Sequence, residues 1–525
     1  MSKKFYIALI CSAIFILFNS VALKFEFFLV PFFSAVLIVL YLLIFRFDWL
    51  MYLMAFATPL SIDIVDTKYN IGVSIPAEII MILLTMLFFV RILYDIRLER
   101  KIILHPISIL IYIYLTWMFI TSITSELPLV SFKYWVSQVW FISACYFMVI
   151  LLIRNDLKRA IAYINCYAVS LGIVIIIATT KFALSGFVAK GQHWIMSPFY
   201  NDHTAYGAAI AFFIPLILSL FIIDGTNKWK KFYYLLLMAV SLMGFYFSYC
   251  RAAWLSILIA FAVWAAIKLR IKFSWLILGM VLLFSTLFYF SDEILYTLGK
   301  NTQDSSGDFS EHIASITNIS TDASNVERLN RWYAAFGMIE DRPLVGWGPG
   351  TYQFVYAGYQ KGKYKTIITT NFGDGGNAHS EFIGPCAEMG FPGAIIVLLL
   401  MITALYVGIT TYSKATCRIS KYLSLYASIA LVSYYVHGLM NNFLDTDKLS
   451  LPFWAAMAVI VIVNIKSKEE KPTRIFPLTA SGGQRSGTRS TKKKRFFNFA
   501  KIKSSKISLG TNTWAIFSVI FIHFF

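Results

Sequence analysis

The sequence predicts an all-α integral membrane protein: a polytopic helical bundle with about 12–14 transmembrane helices and one large extramembrane loop. Two observations carry this. Of 525 residues, 58% are hydrophobic and only 14% charged, against about 25% charged in soluble proteins. So few polar residues cannot cover so much apolar side chain in water, so lipid does the covering. The second observation is periodic. Apolar runs of about 16–22 residues recur, each long enough for a hydrocarbon core about 30 Å thick. Barrel strands would be half as long and would alternate. A soluble multidomain protein and a disordered chain are both excluded.

The runs fall at 5–23, 27–45, 47–60, 76–92, 104–122, 135–153, 159–179, 205–223, 232–249, 252–267, 274–290, 386–410, 422–438 and 449–465. The third is short, as for a tilted or re-entrant segment. The first begins with Lys3 and Lys4 but has no small-residue cleavage site, so it reads as a span rather than a signal peptide.

Lys and Arg placement sets the orientation. With the N-terminus cytoplasmic, the short inner connections hold Lys3, Lys4, Arg46, the basic residues of 91–101, 154–159, 228–231 and 268–272, and Lys414, Arg418 and Lys421. The tail from 466, with its Lys492-Lys493-Lys494-Arg495 run, falls on the same side. The net charge of +19 is therefore a topology signal, drawn to anionic inner-leaflet lipid, and not a nucleic-acid footprint. The tail is expected to be disordered. Its apolar end, 514–525, is too short to span and suits an interface.

One connection, 291–385, is far longer than a usual loop. Its first part, 301–324, is polar. Then Asn325 to Ile339 reads as an amphipathic helix, with Leu329, Trp332, Ala335, Phe336 and Ile339 on one face and Ser324 and Glu327 as a capping box. Arg328 and Arg331 are neighbours on it, and Pro343 ends it. Gly346-Trp347-Gly348-Pro349-Gly350 follows, a tight backbone path without the spacing of a dinucleotide fold. Asn377-Ala378-His379-Ser380-Glu381 leads back into the membrane.

Three basic features are site candidates: Arg251, the Arg328/Arg331 pair, and His379. Arg251 sits at the outer end of a tight hairpin, against the charge bias and at a desolvation cost, where an ionisable residue points to function. Snorkelling to headgroups is the plainer reading. His203 reads as a loop hydrogen-bonder. Asp445-Thr446-Asp447 is too short a motif to establish a metal site, and the six cysteines lack metal spacing.

These residues resemble a known family. Glu327-Arg328-x-x-x-Trp332, then Pro343-Leu344-Val345-Gly346-Trp347-Gly348-Pro349-Gly350-Thr351-Tyr352, then Ala378-His379-Ser380, then Glu388-Met389-Gly390-Phe391-Pro392-Gly393, are similar to the shared core of the O-antigen ligase and polymerase superfamily. Family members often have His-Asn where this chain has His379-Ser380. The resemblance implies a GT-C-like membrane glycosyltransferase of the bacterial inner membrane. It would take its glycan from undecaprenyl diphosphate, with no cofactor and no metal. It implies His379, Arg251 and Arg328 as catalytic residues, with Arg251, Arg328 and Arg331 on the diphosphate. It also implies both termini cytoplasmic and the site facing the periplasm.

The expected layout is N-terminal spans over 1–204, a ligase-like core over 205–465 with its periplasmic loop at 291–385, and the tail over 466–525. The expected acceptor is lipid A–core, as for an O-antigen ligase, and nucleic acid is not a partner. An O-antigen or exopolysaccharide polymerase, with a glycan acceptor, is the alternative. A protein O-oligosaccharyltransferase or a lipid-linked glycan transporter comes after it.

Overall fold

The computed structural model describes residues 14–22, 24–27, 29–66, 71–94, 98–187, 194–271, 323–360 and 376–469, with isolated positions between 274 and 285. The start of the first predicted span, almost all of the span at 274–290, the polar part of the long loop and the tail from 470 lie outside the described residues.

The helices are α1 (Leu29–Phe45), α2 (Phe47–Ala57), α3 (Ala77–Tyr94), α4 (Pro106–Ile123), α5 (Pro128–Ile153), α6 (Lys158–Leu184), α7 (His203–Asp224), α8 (Lys228–Phe247), α9 (Arg251–Lys268), α10 (Ala323–Asp341), α11 (Ile383–Lys414), α12 (Arg418–His437) and α13 (Asp447–Glu469). Among the described residues, eight are long and apolar enough to cross a membrane: α3, α4, α5, α6, α7, α9, α11 and α13. The chain is a polytopic helical membrane protein.

The other predicted segments in this set are helical but fall short in length or apolarity. At about 1.5 Å per residue, the 11 residues of α2 cannot cross. A 3₁₀ turn follows, Thr58–Leu60, and then an antiparallel hairpin of β1 (Ile62–Asp66) and β2 (Ile71–Ile75). The 20 residues of α8 and of α12 reach far enough, but basic first turns and interior Ser and Tyr dilute them.

α13 is buried along its apolar length and packs against α5, α7, α11 and α12. Small and polar groups join the helices, as is usual where lipid removes the hydrophobic drive. Ser424 Oγ donates to the Gly408 carbonyl at 2.7 Å, and Asn464 Nδ2 to Thr411 Oγ1 at 2.7 Å. Gly207 lets α7 close on the α8–α9 turn; a Cβ there would lie 2.7 Å from Cys250 Cβ.

Connections assigned by charge to one side do meet one another. Asn201 donates to Asp63 at 2.8 Å, Glu126 N to the Trp347 carbonyl at 3.1 Å, and Glu381 N to the Gly438 carbonyl at 2.8 Å. At the opposite ends, Lys101 pairs with Glu469 at 2.7 Å, and Arg418 donates to the Ile222 carbonyl at 2.6 Å.

Candidate active site

Three mutually packed helices end together. α7 starts at His203, capped by Asp202, whose carboxylate accepts the Thr204 and Ala205 N–H groups at 2.7 Å. α12 finishes at His437. α9 starts at Arg251, because Tyr249 takes a left-handed conformation (φ 47°) that closes the hairpin with α8. A cation on the first residue of a helix opposes the helix dipole. That cost is local evidence for an anion.

α10 brings the second guanidinium. The charge of Arg328 acts on Arg251, on the buried His437 and on the Cys250 thiol, and Arg328 itself feels Asp202. Burial pushes the Cys250 thiol up to about 11, so it stays neutral. Two arginines 77 positions apart in the sequence thus act on each other at one mouth.

Arg331 is committed differently. It pairs with Glu327 at 2.8 Å, lies over the Tyr356 ring at 5.6 Å, and donates to the Asn377 carbonyl at 3.1 Å. Asn377 Oδ1 in turn accepts the His379 N–H at 3.1 Å. Arg331 therefore holds the backbone that presents His379. That residue sits at φ 48°, a conformation rare for a side chain of its size. Burial and then the charges of Arg331 and Arg328 hold the His379 imidazole well below its ordinary pKa. The ring is neutral at neutral pH and free to take a proton.

The buried face of α10 is only partly the expected one: Ala335 and Ile339 are buried as expected. Glu327, Asn330, Arg331, Ala334, Ala335 and Met338 point inward, while Phe336 is 49% exposed. Apolar periodicity misled because the inward stripe carries the polar groups of the site. The helix is already under way at Ala323, and Glu327 is used by Arg331. The Glu327–Arg331 spacing of i, i+4 was the signal that could have shown this.

The glycine-rich turn docks the loop rather than cradling a phosphate. Gly346 has φ +68°, and a Cβ there would lie 2.3 Å from the Glu388 backbone. Glu388 accepts the Tyr352 N–H at 3.1 Å, and its carbonyl accepts the Gly348 N–H at 2.8 Å. Tyr352 OH then donates to the Arg331 carbonyl at 2.7 Å. α11 breaks at Gly390 (φ 69°) to make room for this turn.

All four predicted site residues are thus associated, Arg251, Arg328 and His379 through charge and Arg331 through the loop. Sequence reasoning passed over Asp202, His437 and Glu388. Asp445 and Asp447 do not converge. Asp445 is exposed, whereas Asp447 is buried, 3.4 Å from Lys448, and accepts from Ser61 at 2.8 Å. Among the described residues, no three His, Cys, Asp or Glu side chains form a metal-binding group.

A family model described as O-antigen ligase matches residues 235–398. Over that stretch the chain is similar to the O-antigen ligase family. The matched stretch runs from α8 into α11 and contains Arg251, Arg328, Arg331 and His379. No curated protein matches the chain. The likeness points to a glycosyltransferase-like membrane enzyme, with lipid-linked glycan and acceptor partners in general terms.

Proposed function

We propose that this chain transfers a glycan from undecaprenyl diphosphate to a sugar hydroxyl at the periplasmic face of the inner membrane, as an O-antigen ligase acting on lipid A–core. The observation that carries this reading is the meeting of Arg251 and Arg328 beside a neutral His379, inside the family-matched stretch.

The leaving group is a polyprenyl diphosphate. Its charge grows as the glycosidic C–O bond breaks, and guanidinium groups meet phosphate with paired N–H donors at any physiological pH. Arg251 and Arg328 supply that stabilisation, so the chemistry calls for no metal. The acceptor oxygen attacks the anomeric carbon from the face opposite the diphosphate, so the configuration inverts. Its proton passes to His379, and undecaprenyl diphosphate leaves. The bound anion offsets the two arginine charges, which raises the proton affinity of His379 when donor is in place. Arg331 acts on the anion at longer range and chiefly positions His379.

A deletion strain tests the assignment. Long glycan accumulating on the carrier, with bare lipid A–core, supports the ligase. Lipid A–core carrying a single repeat unit, with the ladder gone, assigns the polymerase instead. Arg251→Ala, Arg328→Ala and His379→Ala, each confirmed in the membrane, test the site; transfer that survives in all three ends the transferase reading. EDTA is expected to leave transfer intact.

A further inference from the structure

A second concave region lies behind the segment that carries His379. Asn377 and Ala378 line it, and its walls come from α4, α5, α11, α13 and the turn after α12. Its polar lining is unusual for the flank of a membrane bundle. The hydroxyls of Tyr114 and Tyr134 make no hydrogen bond to another described residue. Asn442 Oδ1 and Trp454 Nε1 are buried with no partner, and Trp454 is 2% exposed. Buried polar groups left unsatisfied are costly, so this set calls for hydrogen-bonding atoms from outside the chain.

The charge of this region is opposite to that of the arginine mouth. Glu381 and Glu388 line it, and both carboxylates are held by backbone N–H groups. Among the described residues no basic side chain lines it, so it offers a diphosphate no cation. Apart from Gln138, whose amide donates to the Leu444 carbonyl, the rest of the lining is aromatic or apolar, including Phe453 and Leu400. Aromatic faces with scattered hydroxyl, amide and indole groups suit a neutral, polyhydroxylated ring.

We propose that this cavity receives a sugar residue of the acceptor, held by Tyr114, Tyr134, Asn442 and Trp454 so that its hydroxyl reaches His379. The proposal rests on the transferase reading and adds to it the acceptor site. The segment 376–381 then divides the two substrates by charge: diphosphate on the arginine side, neutral sugar on the carboxylate side.

The test uses the purified full chain in lipid vesicles. Carrier-linked glycan from the deletion strain is donor, and its lipid A–core fraction is acceptor. In the paired variant Tyr114→Phe with Tyr134→Phe, and separately in Trp454→Phe, the half-saturating acceptor concentration should rise about tenfold, as expected for one or two lost hydrogen bonds. The half-saturating donor concentration should stay at the wild-type value. An unchanged acceptor value, or equal shifts for donor and acceptor, overturns the proposal and leaves a cavity holding water.

Binding is also read without turnover, as the rise in unfolding temperature with oligosaccharides released from the strain's glycolipids. Stabilisation of wild type but not of the paired variant supports the site. No stabilisation of wild type, or equal stabilisation of both, overturns it. Failure of the transferase reading shows separately, as transfer that survives the arginine and histidine variants.

Discussion

The two sides of the segment 376–381 are built from the same materials to opposite ends. On one side, Arg251 and Arg328 crowd together where helix dipole and like-charge repulsion both oppose them. On the other, Glu381 takes three donors at once: Tyr434 OH at 2.5 Å and the Phe443 and Leu444 N–H groups at 2.8 and 3.1 Å. Glu388 is similarly engaged. The carboxylates are satisfied by the chain and serve as pins. The arginine mouth brings two like charges close enough to act on each other, with Asp202 acting on Arg328. Burial of charge alone does not mark a reacting group; what distinguishes the two sides is the sign of the charge gathered there and the groups that hold it.

The sharpest way to break this contrast is to remove a guanidinium. Arg251→Ala or Arg328→Ala should lower the transfer rate by about 10²–10³, the usual loss of one transition-state donor, while unfolding temperature holds or rises as repulsion is relieved. A large fall in stability with transfer retained would make these arginines structural.

The opposite result is expected at the pins. Gly346→Ala and Gly390→Ala each force a side chain into left-handed backbone, against backbone atoms 2.3 Å away. Each should cost about 3 kcal/mol and disturb both sides together, measured by denaturation of the purified chain.

The two sides should also respond oppositely to pH. The folded pKa of His379 lies below its unfolded value of about 6.5, so the unfolded chain takes up that proton first. Its stabilising share is complete above about pH 6.5 and is lost as pH falls toward the folded value. Burial raises Glu381 from 4.5 to about 7, against the pull of its hydrogen bonds. Its share is present below about 4.5 and lost as pH rises through 7. Unfolding scans should show His379→Asn losing less stability than wild type between pH 7 and 5. Glu381→Gln should lose less between pH 5 and 8. Identical profiles in all three chains would erase the distinction.

The smallest effect is expected at the rim. Arg342 pairs with Glu126 at 2.7 Å and lies over Trp347 at 4.1 Å, both side chains of the pair being substantially exposed. Arg342→Ala should cost no more than about 1 kcal/mol and leave transfer rates unchanged in the vesicle assay.

Much was legible in the sequence because its cause is local. Apolar runs longer than a bilayer is thick dictate membrane helices, and the Lys and Arg bias groups the connections by side. Both rest on the solvation of individual side chains. Arg251 stood out as a charge placed against the topological bias, and Arg328 and His379 as parts of an ordered set of motifs.

What the sequence left open depends on facing, which only packing decides. The inward stripe of α10 mixes Glu327, Asn330 and Arg331 with Ala334, Ala335 and Met338, so hydrophobic periodicity took in the exposed Phe336 and missed the polar members. Asp445 and Asp447 are two residues apart, yet one faces solvent and the other a lysine. Asp202, His437 and Arg251 belong together because α7, α9 and α12 pack side by side and end at one level. The glycines of 346–350 allow the loop to seat on α11, and that seating brings Arg331 to the backbone beside His379. Composition and periodicity determine that a chain like this enters a membrane and folds as helices there. Which charged groups come together, and what they meet, is settled by the contacts between those helices.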